Sequence, residues 1–307
     1  MADIRLFRVG ETSVTELDGR YSKVERTLQT LIETHLEALL GVRFLASEYP
    51  TGDRHRGRID TLGIDENDCP VIVEYKRSMN QNVINQGLFY LNWLVDHRGD
   101  FQLLAQERLG PEASQGIEWS SPRLLCIAGD FTNYDEEAVQ QMGRNIELIR
   151  YRRYDPDLLL LELVNAASAP AQAERPTEAD DDGIPRRRAS STFTDLLARA
   201  SAELNDRFES LQAFVLALGD DVQAKTLKHY VAFKRLRNFA CVEVHPQANA
   251  LVVNVKLDPD DVDLQDGFTR DVREIGHYGT GDLEITIRSD VDLDRAQSLL
   301  VLSYEST

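Results

Sequence analysis

Cysteine is scarce in this sequence and poorly placed for cross-linking. Cys69, Cys126 and Cys241 are the three that occur, an odd number, widely separated and without a Cys-x-x-Cys pair. Neither a disulfide framework nor a zinc knuckle is indicated, and a reducing cytoplasm is the expected compartment. Long apolar runs are missing too. The longest, "LLLLELV", falls far short of the ~20 residues that cross a bilayer, so no membrane partner is expected. The opening "MADIRLFRVGETSVTELDG" lacks the apolar centre of a secretory signal. There is no Ser-His-Asp spacing, no phosphate loop and no dinucleotide fingerprint, which leaves several enzyme classes without visible residues.

Positive charge is the remaining shortage. The chain has 34 basic and 52 acidic residues, a net charge of −18. The acidity is spread, with 27 acidic against 18 basic residues over 1–166 and 20 against 12 over 192–307. A broad nucleic-acid-binding surface is therefore disfavoured. A local basic cleft is not, because charges beyond about 8 Å are screened at cellular salt.

What is present suffices for two domains of ordinary size: 307 residues, 42% of them apolar. Apolar residues at helical spacing predict a helix over 22–40, with Ser22 as cap and Gly41 as stop. A strand "VRFLASEYP" follows, then two strands, "GRIDTLGID" and "PVIVEYKR", about the polar turn "ENDC". "NQNVINQGLFYLNWLVDH" reads as a helix, "PRLLCIAGD" as a buried strand, "YDEEAVQQMGRN" as a short acidic helix, and "IELIRYRRY" and "LLLLELV" as strands. Residues 166–191 lose all periodicity and carry small residues, prolines and charge blocks, the composition of a flexible linker. Residues 192–307 give one or two helices, several strands and a last helix, a small α+β domain.

The chemistry gathers at the hairpin. If its turn centres on Asn67, facing residues have numbers that sum to 134. Asp60 then faces Glu74 and Arg58 faces Lys76, all four on one side, with Ile59, Thr61, Val73 and Tyr75 on the other. Two facing carboxylates repel unless a cation lies between them. Carboxylate oxygens with a backbone carbonyl and waters suit Mg²⁺, and a lysine on the same face can orient the attacking water. A solvent-facing hairpin is the plain alternative. "DRHRGR", just before Asp60, supplies Arg54, His55, Arg56 and Arg58 as a local basic mouth, or as a solvated loop.

These motifs resemble the PD-(D/E)XK nuclease superfamily, whose pattern is an acidic residue, a short hairpin and Glu/Asp-x-Lys. Here it stands as "GRID", thirteen residues, and "EYK", in the family's order of helix, strand, hairpin, helix and strand. Ile59 replaces the proline of the family name. The upstream glutamate of such nucleases is matched by Glu33, with Glu37 as the alternative. "QGLFY" looks like the Gln-x-x-x-Tyr motif of RecB-type nucleases, with Gln86 and Tyr90 on one helical face.

The resemblance covers roughly residues 22–130 and carries definite expectations. Residues 1–165 are expected to form a restriction-endonuclease-like α/β domain with a mixed central sheet flanked by helices. The implied catalytic residues are Glu33, Asp60, Glu74, Lys76, Gln86 and Tyr90. Asp60, Glu74 and the carbonyl of Tyr75 would hold Mg²⁺ or Mn²⁺, and Arg54, Arg56, Arg58 and Arg77 would contact nucleic acid, DNA before RNA. A homodimer is left open. The alternative function is a nuclease fold that binds or senses nucleic acid without cutting.

The C-terminal half resembles a bacterial domain of unknown function. Its "KTLKHYVAFKRLRN" interleaves cations with Tyr230 and Phe233, a pattern for nucleic acid or for a solvated amphipathic element. "GHYGTGD" reads as a glycine-rich loop at a binding edge, and His277 within it as structural rather than catalytic.

Overall fold

Apolar and β-branched runs, broken by glycine and by polar turns, set where the strands of this chain begin and end. A computed structural model of the protein describes residues 4–10, 13–20, 25–52, 57–76, 82–154, 157–167 and 191–307. Two compact units divide the chain, Met1–Pro170 and Ala171–Thr307. The expected linker, 166–191, falls almost entirely outside the described residues, as does the expected cap Ser22. Among the described residues, no helix is long and apolar enough to cross a membrane.

The first unit runs β1 (Leu6–Val9), β2 (Val14–Leu17), β3 (Gly19–Arg20), α1 (Glu25–Thr34), α2 (Leu36–Leu40), β4 (Val42–Pro50), β5 (Arg58–Asp65) and β6 (Pro70–Lys76). It continues α3 (Asn82–Asp96), α4 (Arg98–Leu109), α5 (Pro111–Gln115), β7 (Arg123–Ala128), α6 (Asn133–Gln141), β8 (Asn145–Tyr154) and β9 (Leu158–Ala167). The single helix expected over 22–40 is two helices, broken at His35, whose N–H turns back to the Ile32 carbonyl at 3.1 Å. Gly41 does end the second, in the left-handed conformation at φ 63°.

One mixed sheet organises this unit, in the order β3-β8-β7-β6-β5-β4, with β9 on β8. β4, β5 and β6 are antiparallel neighbours, whereas β6, β7 and β8 run parallel. Leu62, Ile64, Ile72, Leu124, Cys126 and Ile146 pack with Val83, Leu91 and Leu94 of α3 and Phe101 of α4. The alternate residues Val71, Val73, Tyr75, Leu125 and Ile127 are equally buried but outside that cluster, on the side where α1 and α2 lie. Both faces are covered, which is why β6 and β7 read as near-continuous apolar runs.

The second unit comprises α7 (Phe193–Ala198), α8 (Ala202–Leu216), β10 (Gln223–Thr226), β11 (Val231–Lys234), β12 (Asn238–His245), β13 (Ala250–Val255), β14 (Thr269–Asp271), β15 (Leu283–Ile287) and α9 (Asp290–Ser306). Its antiparallel sheet, β10-β11-β12-β13-β15-β14, packs Phe239, Val253, Ile285 and their neighbours against Leu211 of α8 and Leu300 of α9. The expected architecture holds, a mixed sheet flanked by helices and then a small α+β domain.

Candidate functional site

The hairpin turn is built by Asp65. Its Oδ1 accepts the N–H groups of Asn67 and Cys69, each at 2.9 Å, and Asp68 takes a positive φ of 57°. Asp65 Oδ2 accepts from Arg123 Nη1 at 2.7 Å, and Arg123 also donates to both oxygens of Glu147 at 2.9 and 3.0 Å. All three side chains are buried. Burial alone would lower the guanidinium pKa, but Glu147 and Asp65 override it and hold the pKa raised. This ionic knot pins the turn to the first residue of β7 and to β8.

With the turn fixed, the register follows. Ile64 pairs with Pro70, Gly63 with Val71, Leu62 with Ile72 and Thr61 with Val73, the pairing expected from a turn centred on Asn67. There the β5–β6 ladder ends. Beyond Thr61, β5 pairs with β4 only, and beyond Val73, β6 pairs with β7 only. The strands fork, and Asp60 and Glu74 stand in the fork. Glu74 Oε1 accepts the Asp60 N–H at 3.2 Å, and Asp60 Oδ2 accepts the Tyr75 N–H at 3.0 Å. Each carboxylate thus takes over a main-chain donor where the ladder stops. Glu74 is fully buried, while Asp60 and Lys76 are half-buried. The expected pairings of Asp60 with Glu74 and of Arg58 with Lys76 are both absent from the ladder, although Asp60 and Glu74 remain linked through their side chains. Arg58 faces Pro50 instead, and its exposed side chain forms an ion pair with Glu48.

Glu33 arrives from α1 on the opposite face. Its Oε1 accepts from Thr61 Oγ1 at 2.6 Å and from Gln29 Nε2 at 3.0 Å. Gln29 Nε2 also reaches the Asp60 carbonyl at 3.0 Å and Ser47 Oγ at 3.3 Å. One buried amide therefore ties the helix carrying Glu33 to the backbone of Asp60. The Tyr75 hydroxyl bonds Thr61 Oγ1 at 3.3 Å. Its pKa is raised, chiefly by burial, which outweighs the lowering from the Thr61 bond, and the charges of Glu33, Asp60 and Glu74 add to the rise. Three carboxylates thus surround one phenol. Burial, followed by Glu74, likewise raises the Cys126 thiol on the other face.

The Gln86–Tyr90 pair on α3 is also drawn in. Gln86 Nε2 donates to the Tyr90 hydroxyl at 3.3 Å, and that hydroxyl accepts the Arg58 N–H at 3.1 Å. Gly57 makes this approach possible, because a Cβ there would lie 2.5 Å from the Tyr90 ring. The glycine of "GRID" thus leaves room for the tyrosine of "QGLFY".

Glu33, Asp60, Glu74, Tyr75, Gln86 and Tyr90 are therefore linked around the start of β5, with Lys76 at the end of β6. Glu37, the alternative to Glu33, is exposed. Arg54, His55, Arg56 and Arg77 lie outside the described residues. Gln29 and Thr61 were not anticipated. Gln29 lies one helical turn before Glu33, so its spacing was visible, but its contact with Asp60 is tertiary. Among the described residues, no group of three or more His, Cys, Asp and Glu side chains is arranged to hold a metal ion.

Comparison with known proteins adds the following. Residues 193–307 match a family described as a domain of unknown function, DUF5655. An uncharacterized protein of Haemophilus influenzae is 29% identical over 301 residues, spanning 97% of this chain and 98% of its own. A repair endonuclease from Pyrococcus abyssi aligns at 20% identity and a TM-score of 0.29, over 45% of this chain and 51% of that one. The EndoMS–dsDNA complex aligns at 15% identity and a TM-score of 0.29, over 48% of this chain and 64% of that one. This chain therefore spans less than two thirds of the length of either solved structure.

Proposed function

We propose that the first unit is a metal-dependent nuclease that hydrolyses phosphodiester bonds in nucleic acid, DNA in first place. The observation that carries this is the fork. Two carboxylates from adjacent strands, Asp60 and Glu74, are held close together, Glu74 by the Asp60 N–H and Asp60 by the Tyr75 N–H, and Lys76 follows Tyr75 on β6. The donor set of two carboxylates with the Tyr75 carbonyl is all hard oxygen, which fits Mg²⁺ or Mn²⁺. Such an ion supplies polarisation of the phosphate and a more acidic water.

The chain's own residues do the rest. Asp60 and Glu74 are pre-oriented by backbone N–H donors, so little reorganisation is needed when they bind. Lys76 orients the attacking water and offsets charge growing on the phosphate oxygens. Glu33, fixed by Thr61 and Gln29, adds a further negative charge beside the same strand. Gln86 and Tyr90 hold the main chain at Arg58 and through it the position of Asp60. Arg58, with Arg54, Arg56 and Arg77, provides phosphate contacts that position without specifying sequence.

A second reading is favoured by the burial of Glu74, which is 0% exposed. It holds that the fold binds or senses nucleic acid and does not cut. One experiment separates the two. Plasmid, single-stranded DNA and RNA are incubated with the protein in Mg²⁺ or Mn²⁺, beside Glu74→Gln and Lys76→Met. The nuclease reading expects cleavage that each variant reduces by roughly 100-fold or more. Binding without cleavage would establish the second reading instead.

A further inference from the structure

Two stretches of the second unit that are some fifty residues apart in sequence, "KHY" and "HYGTGD", meet in the fold. The sheet turns one face to α7–α9. Its other face carries the cross-strand row Ala232, Cys241, Asn254 and Glu284, none of which belongs to the apolar cluster packed on the helices. The glycine-rich loop closes over the centre of this row. Thr280 N–H donates to Cys241 Sγ at 3.4 Å, and Asn254 Nδ2 donates to the Tyr278 carbonyl at 3.3 Å.

The loop is pressed against the sheet. Gly279 has φ 78°, and a Cβ there would lie 2.5 Å from the Cys241 Cβ. Gly281 has φ 138°, and a Cβ there would lie 2.7 Å from the Val255 backbone. Only glycine suits either position, and the close approach seats the loop that carries Tyr278 against the sheet. Tyr278 stacks on His229 with ring centroids 4.6 Å apart, and Tyr230 lies parallel at 6.4 Å. Tyr278 remains 48% exposed, so part of its ring is open to a ligand.

The basic residues of the region divide into two groups. Lys234 is buried, Arg235 pairs with Asp221 at 2.7 Å and lies over the Tyr304 ring, and Arg237 reaches the Thr307 carbonyl. Lys228 is exposed beside His229, and His277 is half-exposed beside Tyr278. Lys228 and the His277 imidazole thus flank the aromatic stack on the two loops it comes from, with Lys256, Asp258 and Asp282 lining the same cavity as His277.

We propose that the His229–Tyr278 stack is a binding site for single-stranded nucleic acid, with an unpaired base lying on the tyrosine and with Lys228 and His277 next to the phosphates. Stacking suits it because every base has a π-face, and an unpaired strand is needed because duplex bases are already stacked. The proposal does not depend on whether the first unit cuts.

The test is fluorescence anisotropy of dye-labelled oligo(dT) and oligo(U) with the full chain, at low salt and with chelator to prevent cleavage. Tyr278→Ala and His229→Ala should weaken binding by roughly 10-fold or more, Tyr278→Phe should retain it, and a duplex of equal length should compete poorly. No binding of either oligonucleotide by the wild type, equal binding by Tyr278→Ala, or a duplex preferred over both would overturn it.

Discussion

A single methyl group at residue 57 would displace Tyr90. Gly57→Ala places a Cβ 2.5 Å from that ring, so we expect a loss of about 1–3 kcal/mol, the usual result of forcing extra volume into a packed site, measured by urea denaturation. Tyr90→Phe removes the acceptor of the Arg58 N–H without the clash, and comparing the two separates sterics from hydrogen bonding. Gln29 is a second residue whose role only its partners reveal. At the sequence level it is one polar residue on an amphipathic helix, and its link to Asp60 depends on where α1 docks. His245 supplies a pH test. Its bond to Glu243 raises its pKa against the opposing effect of burial. A raised pKa means that its contribution is fully present below the unfolded value near 6.5 and is lost as pH rises through the folded value. Stability should therefore fall slightly just above pH 6.5, and His245→Gln should flatten that slope in thermal melts.

At the scale of elements, the hairpin depends on the ionic knot beneath it. Arg123→Met leaves Asp65 and Glu147 buried without their cation, which should cost about 3–5 kcal/mol in chemical denaturation. Adding Asp65→Asn and Glu147→Gln should recover part of it. α9 illustrates local determination instead. Ser289 accepts the Asp292 N–H while the Asp292 carboxylate accepts the Ser289 N–H, a reciprocal cap visible as Ser-x-x-Asp. Ser289→Ala should cost about 1 kcal/mol. The β5–β6 register was equally legible, because polar "ENDC" between two apolar runs leaves few turn positions. α4, α5 and the strands β1–β3, β10 and β14 were not anticipated. α4 has only a weak apolar stripe, with Phe101 and Ala105 buried, and the short strands have too few residues to establish a period. The break at His35 was hidden too, because apolar spacing runs on through it.

For the whole molecule, each unit has its own apolar core. A charge buried in one, such as Leu251→Asp, should unfold the second unit while the first keeps its denaturation midpoint, which calorimetry can resolve as separate transitions. The sequence by itself determined the sheet-and-helix alternation, the hairpin pairing and the candidate carboxylates, since these follow from side-chain period and turn chemistry acting over a few residues. Only the tertiary structure decided that β5 and β6 part at Asp60 and Glu74. It alone brought Gln29 to the Asp60 carbonyl, left a space at Gly57 for Tyr90, and laid Tyr278 on His229. Those outcomes depend on how elements distant in sequence pack against one another, and no local pattern encodes the distance between two side chains that meet only after the sheet has formed.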